Sequence, residues 1–305
     1  ENGKRTRHNV FVDGSDASFT FSYIKQPTLI QVNADGVLLC EIIENKVLSD
    51  YIFQLKNAEN YAHRREALLE VAKKQEEKIA FNAVVNAMSD ASYKIRILAL
   101  EKIDLINKFS KKNAIQKIMK IANTDEKTLV QATAIETLGK LTDPELKEIF
   151  AKGLESKSYS VVGKALVAMY YVDKQLAVIK SRALPDAIRK ILATPLTRIY
   201  IEEKDEKELP FISKSVLSGM FLTGDDATKA IYQKAFTQIS ESNNSEAIQN
   251  LVDDMVVKGT QYKSFNFDKV VINLMRRMVQ DQKTKNTLNR VRNTAIIKEA
   301  MARLL

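Results

Sequence analysis

The stretch Tyr93-Lys94-Ile95-Arg96-Ile97-Leu98-Ala99-Leu100 decides how this chain folds, because its skeleton recurs. An alanine followed by a large aliphatic residue stands at Ala67-Leu68, Ala99-Leu100, Ala134-Ile135 and Ala165-Leu166. From 67 to 99, 134 and 165 the steps are 32, 35 and 31 residues. Four residues before each alanine come His63, Ile95, Val130 and Val161; six before come Tyr61, Tyr93, Thr128 and Tyr159. A fixed period of this length marks an array of helix pairs. Each pair cannot bury its apolar face alone, so neighbours must stack into one continuous core. Such arrays scaffold or cover other molecules more often than they catalyse.

Helical periodicity begins near Val47 and predicts helices at 61–74, 78–88, 93–109, 113–122, 129–141, 145–154 and 158–173. A weaker pair spans 175–194. Asn123-Thr124-Asp125-Glu126 reads as a helix start, and Pro144 suits the first residue of the next helix. The charged stretch IEEKDEKELP at 201–210 reads as a linker. Beyond it, helices are expected at 211–222, 226–240, 245–259, 267–280 and 285–305, as a terminal cap whose outer face is polar.

The first 45 residues differ. Phe19, Phe21 and Tyr23 alternate with Thr20 and Ser22, the pattern of a half-buried strand. Strands are expected at 9–12, 19–23, 28–32 and 37–42, with Asn33-Ala34-Asp35-Gly36 as a hairpin turn. Four strands with one apolar face require a second layer. Either that layer lies upstream of Glu1, or the strands pack on the helices.

Composition narrows the function classes. The chain has 305 residues, of which 45% are hydrophobic, enough for a large core or two domains. Nine glycines, five prolines and no tryptophan fit long helices with few sharp turns. The longest apolar run, 165–172, falls short of the roughly 18 residues a membrane span needs. No signal-peptide pattern opens the chain, and Glu1 in place of Met fits a processed protein or an excised fragment. The compartment stays open. The single cysteine, Cys40, excludes an intrachain disulfide. Net charge is +9, and residues 260–305 hold ten Lys/Arg against Asp268, Asp281 and Glu299. That tail reads as a solvated helical face or a site for an acidic partner; it lacks the interleaved aromatics and motifs of a nucleic-acid binder, and none is expected as a partner.

Chemistry-bearing motifs are sparse. His8, in the basic run with Lys4, Arg5 and Arg7, and His63 are the two histidines. No H-E-x-x-H occurs. His63 occupies a core position of the repeat and reads as a packing residue. Cys40, among Val37, Leu38 and Leu39, reads as core packing. Gly163-Lys164 lacks the other residues of a phosphate loop. Asp225-Asp226 reads as a helix-capping turn, and Asp253 and Asp254 point about 100° apart on a helix. No catalytic residue, metal ligand or cofactor site is assigned to this chain. Arg64, Arg65 and Arg96 begin repeat helices and are the candidate contacts for a peptide or protein partner, through bidentate bonds to carboxylates. The same arginines have Glu66, Glu101 and neighbouring carbonyls within reach.

The order of features carries a resemblance. Ile24-Lys25-Gln26-Pro27-Thr28-Leu29-Ile30-Gln31-Val32-Asn33, running into Ala34-Asp35-Gly36-Val37-Leu38-Leu39-Cys40-Glu41, resembles the segment that closes the β-sandwich of zinc aminopeptidases of the membrane alanyl aminopeptidase (gluzincin) family. Asn33 stands where that family often has Asp. Ala58-Glu59-Asn60-Tyr61-Ala62-His63-Arg64-Arg65-Glu66-Ala67-Leu68 is similar to the entry into that family's C-terminal HEAT-like domain. The resemblance implies a mostly α fold: a HEAT/ARM-like α-α superhelix preceded by a short β-sandwich-like strand segment. Its divisions would be 1–45 for the strands, 46–200 for the repeats and 201–305 for the helical cap. It further implies a parent metallopeptidase whose zinc is held by an upstream catalytic domain, the partner of this chain, acting on peptide substrates. The helical part would close over the cleft and restrict access. A self-standing repeat scaffold that binds proteins is the alternative.

Overall fold

The computed structural model describes residues 5–106, 111–286 and 288–305. They are mainly helical and fall into two compact units, 1–141 and 142–305. The division lies within the expected run of repeats, and the charged stretch 201–210 lies inside the second unit.

The first unit is built from α1 (Leu48–Asn57), α2 (Tyr61–Ala72), α3 (Lys78–Ala87), α4 (Tyr93–Lys102), α5 (Lys111–Thr124) and α6 (Thr128–Gly139). Helices α2, α4 and α6 pack in succession; α1 packs on α2, α3 lies against α2 and α4, and α5 pairs with α6. The recurring residues explain this layering. Ala67, Ala99 and Ala134 are fully buried, as are Leu68 and Leu100. A methyl group at that position lets neighbouring helices approach, while the following aliphatic residue fills the gap between them. Tyr61, Tyr93 and Thr128 each open a helix, and Tyr61 and Thr128 sit at the surface. Helix α4 ends at Lys102, short of the expected 109, because Ile103 turns to an extended conformation; residues 107–109 of that expected helix lie outside the described residues. Gln75 secures this edge: its amide donates to the Ala72 and Lys102 carbonyls, and its oxygen accepts from the Asp104 N–H.

The second unit comprises α7 (Lys147–Leu154), α8 (Tyr159–Val172), α9 (Lys174–Arg182), α10 (Asp186–Ile191), α11 (Ala193–Glu202), α12 (Leu209–Ser213), α13 (Val216–Phe221), α14 (Asp226–Ser240), α15 (Ser245–Gln261), α16 (Phe267–Lys285) and α17 (Arg290–Ala302). Ala165 and Leu166 continue the buried pattern on α8. Pro144 opens a single 3-10 turn leading into α7, with Asp143 capping it through the Glu145 N–H. Gly163 allows α8 to approach α11: a Cβ there would lie 3.3 Å from Leu192 and Pro195. The expected linker is a pinned turn rather than a loose tether. Arg182 pairs with Asp205, and Arg189 with Glu208 while stacking on Phe211. A buried network joins the last helices: Gln282 donates to the Ser240 and Ser242 carbonyls, and Asn293 donates to Gln282 and accepts from Ser245.

The strand expectation requires correction. None of the segments 9–12, 19–23, 28–32 and 37–42 is a strand; residues 5–47 are without regular secondary structure among the described residues. Alternation specifies which side chains a strand would bury, but a strand also needs a hydrogen-bonded neighbour and an apolar layer. Neither is supplied here, and Phe11, Ile24, Leu39 and Ile43 stand more than four-fifths exposed. Only the turn forms. Asn33 takes a positive φ of 50° and Gly36 one of 68°, and the Gly36 N–H donates to the Asn33 carbonyl at 2.8 Å. Cys40, expected in a core, is exposed for the same reason.

Candidate functional site

The turn at 33–36 is fastened to the start of α2. The Asn60 side-chain oxygen caps α2 by accepting from the Ala62 N–H, and its amide donates to the Asp35 carbonyl at 2.9 Å. Arg7 makes a two-point contact with the Asp35 carboxylate at 2.9 and 3.1 Å. His63 is buried beneath the turn. Its Nε2 lies 3.0 Å from the Asn33 carbonyl, and its Nδ1 lies 3.1 Å from the Gln31 amide nitrogen. A carbonyl can only accept, so Nε2 carries the proton and neutral Nδ1 accepts from Gln31. Both ring nitrogens are thereby used in structure, and His63 serves as packing and as a clasp.

The candidate arginines divide into two kinds. Arg96 and Asp125 form a buried two-point ion pair, with Nε and one terminal nitrogen each donating at 2.8 Å. The remaining terminal nitrogen donates to the carbonyls of Asp90 and Ala91. The Asp125 hydrogen bonds hold the Arg96 guanidinium above its ordinary value, against the opposing effect of burial. Arg64, one repeat earlier, makes a looser version of the contact: one terminal nitrogen donates to Asp90 Oδ1 at 3.3 Å, Nε stands 3.0 Å from Oδ2 as an ion pair only, and the other terminal nitrogen donates to the carbonyls of Ala58 and Glu59. The carboxylate partners are thus Asp90 and Asp125, not Glu66 or Glu101. In the third repeat Gln131 takes this position and donates to the Asp125 carbonyl. In the fourth it is Val162, and the ladder stops. Arg65 is exposed and forms no ion pair among the described residues.

The sequence carried a signal for this ladder. Asp90 and Asp125 each stand three residues before a helix-opening Tyr93 or Thr128, at the repeat spacing. Each aspartate also accepts a hydrogen bond from a backbone N–H two residues on, from Ser92 and Lys127. The loop carboxylate is therefore both turn former and acceptor for the preceding repeat's arginine.

Beside the Arg96–Asp125 pair lies an open cleft of about 730 Å3, lined by Met88, Gln116, Lys117, Lys120, Ile121 and Glu126 among others. Lys117 is half-buried and donates to the Val85 carbonyl at 2.7 Å. Burial pushes its ammonium below the ordinary lysine value.

The remaining acidic pairs have separate structural partners. Asp225 caps α14 through the Ala227 and Thr228 N–H groups. Asp253 pairs with Arg303 and Asp254 with Lys258. In the basic tail, Arg277 stacks on Phe236 and Lys285 pairs with Glu241. Among the described residues no group of three or more His, Cys, Asp or Glu is placed to hold a metal ion, and no helix is long and apolar enough to cross a membrane.

Residues 81–169 match a family model of HEAT repeats. Comparison with curated proteins finds no match. The HEAT match begins on α3 and ends on α8, so it covers the rung from Arg96 to Asp125 and the second to fourth alanine positions. HEAT arrays are scaffolds that present extended surfaces to other proteins, and in this segment Arg96 and Asp125 are spent on holding repeats together.

Proposed function

We propose that this chain is the noncatalytic C-terminal part of a zinc aminopeptidase, serving as scaffold and lid to an upstream catalytic domain. The observation that carries this reading is the contrast at the N-terminal segment. Its turn at 33–36 is clamped to the start of α2 by Asn60 and His63 and braced from within the segment by Arg7, while Phe11, Leu39 and Ile43 stand open. A segment tied to α2 with large apolar side chains open to solvent fits one that further chain covers. The zinc of the parent would be bound outside the described residues, which offer no suitable group. The helical repeats would contribute shape and access control, and no chemical step is assigned to them.

The alternative, a self-standing protein-binding scaffold, draws on the HEAT match alone. Expression of the complete reading frame decides between them. An upstream H-E-x-x-H with a later Glu, stoichiometric zinc, and release of p-nitroaniline from aminoacyl anilides is the expected result. A frame without that motif, or a zinc-free product without hydrolysis, would overturn the aminopeptidase reading and leave the scaffold.

A further inference from the structure

We propose that Lys117 is a reactive amine that accepts acyl groups from small acyl phosphates, with Lys120 holding the phosphate. Nucleophilic attack needs an amine that is reachable, not locked to an acid and eased towards its neutral form. The surroundings of Lys117 favour all three. It lines the open cleft beside α5 and has one hydrogen-bond partner, the Val85 carbonyl, an acceptor that cannot neutralise its charge. The carboxylates lining the same cleft are engaged elsewhere: Asp90 by Arg64 and the Ser92 N–H, Asp125 by Arg96 and the Lys127 N–H. Glu126 is largely exposed and lies 3.6 Å from Arg96. Partial burial without a compensating acid favours the neutral amine, in line with the direction of its titration.

Lys120 follows Lys117 by three residues, so the two share a helix face and a cleft wall. Lys120 is exposed and unpaired among the described residues, a cation suited to a phosphate dianion. In the reaction the Lys117 Nζ lone pair adds to the acyl carbon, forming a C–N bond. The acyl C–O bond breaks, phosphate leaves with that electron pair, and the nitrogen's extra proton passes to solvent. The amide product keeps one N–H for the Val85 carbonyl and loses the charge at the cleft.

The test is acetylation of the native protein by acetyl phosphate near neutral pH, with the rate at each lysine read by quantitative peptide mass spectrometry. Lys117 is expected to react at least twofold faster than exposed Lys78, because a half-buried amine held only by a carbonyl is neutral more often than a solvated one. The advantage should vanish in urea and shrink as pH rises towards ordinary lysine values. K120Q should slow Lys117 with acetyl phosphate but not with the uncharged N-acetoxysuccinimide. A Lys117 rate at or below that of Lys78 in the folded protein, or an advantage that survives urea, overturns the proposal. Equal behaviour of K120Q towards both reagents removes Lys120 from it.

Discussion

Removing the guanidinium of Arg96 should be the most damaging single polar change in the first unit. The R96M variant keeps the aliphatic stem but leaves the Asp125 carboxylate, whose side chain is 8% exposed, without its counter-ion. Two charge-assisted bonds of 2.8 Å are lost, each worth about 1.5–3 kcal/mol in comparable settings. Truncating one partner of a buried pair typically costs about 3–5 kcal/mol, because the other charge stays desolvated. The loss of donors to the Asp90 and Ala91 carbonyls falls in the same range of effect. Arg7–Asp35 provides the control: it is also a two-point pair, at 2.9 and 3.1 Å, but its side chains are 60% and 59% exposed. An exposed pair contributes about 0–1 kcal/mol. The difference between R96M and R7M therefore reads burial together with the two carbonyl bonds that Arg96 alone makes. Guanidinium denaturation followed by far-UV circular dichroism reads both, with separate transitions fitted if the two units melt apart. A double-mutant cycle of R96M with D125A cancels the bonds to Asp90, Ala91 and Lys127 and returns the pair alone. The reasoning is refuted if R96M costs no more than R7M, or if the cycle gives a coupling below about 0.5 kcal/mol.

Further outcomes follow from other positions. G219A should destabilise the second unit by about 2 kcal/mol or more, since its Cβ would fall 1.9 Å from the buried ring of Tyr232; thermal melts check this, and an unchanged melt would contradict the packing. Asp173 is held below the usual carboxylate range by Lys147 and the Leu176 N–H, and Asp225 by the Thr228 hydroxyl and N–H. Their stabilisation is full above the unfolded value near pH 4 and is lost as pH falls through the lower folded values. The acid limb of the melt should therefore flatten in D173N and D225N, and an unaltered limb would count against both assignments. D225A removes the cap on α14 and should cost about 1 kcal/mol. H63L removes the bonds to Asn33 and Gln31, so limited proteolysis within 28–43 should accelerate while the helical signal stays constant. Equal cleavage rates would show that the clasp does not hold the turn.

The helical core was readable because its signal is local. Ala99 and Leu100 announce a buried stripe within one helix, and the same stripe at 67 and 134 supplies the stacking of α2, α4 and α6. Arg64 and Arg96 were noticed, but their partners lie 26 and 29 residues away on the next loop, beyond what a single helix pattern reports. Aligning the loops as well as the helices would have paired them with Asp90 and Asp125. The strands at 9–42 failed for a different reason. Phe19, Phe21 and Tyr23 encode a face but not the layer that covers it, and the described residues contain no such layer. Lys117 left no mark at all: its partial burial comes from the end of α3, where the Val85 carbonyl lies 32 residues earlier in the chain.

The rung from Arg96 to Asp125 has a consequence for where this array tolerates added length. It spans the α3–α4 loop and the α5–α6 loop, residues 88–92 and 125–127. An insertion in either loop would pull the guanidinium from its carboxylate. The opposite edge, where Gln75 binds the Lys102 carbonyl and the Asp104 N–H, is not crossed by the rung. Grafted peptides or fluorescent tags belong there, at the exposed Ile106, rather than in the tight loops that carry the aspartates.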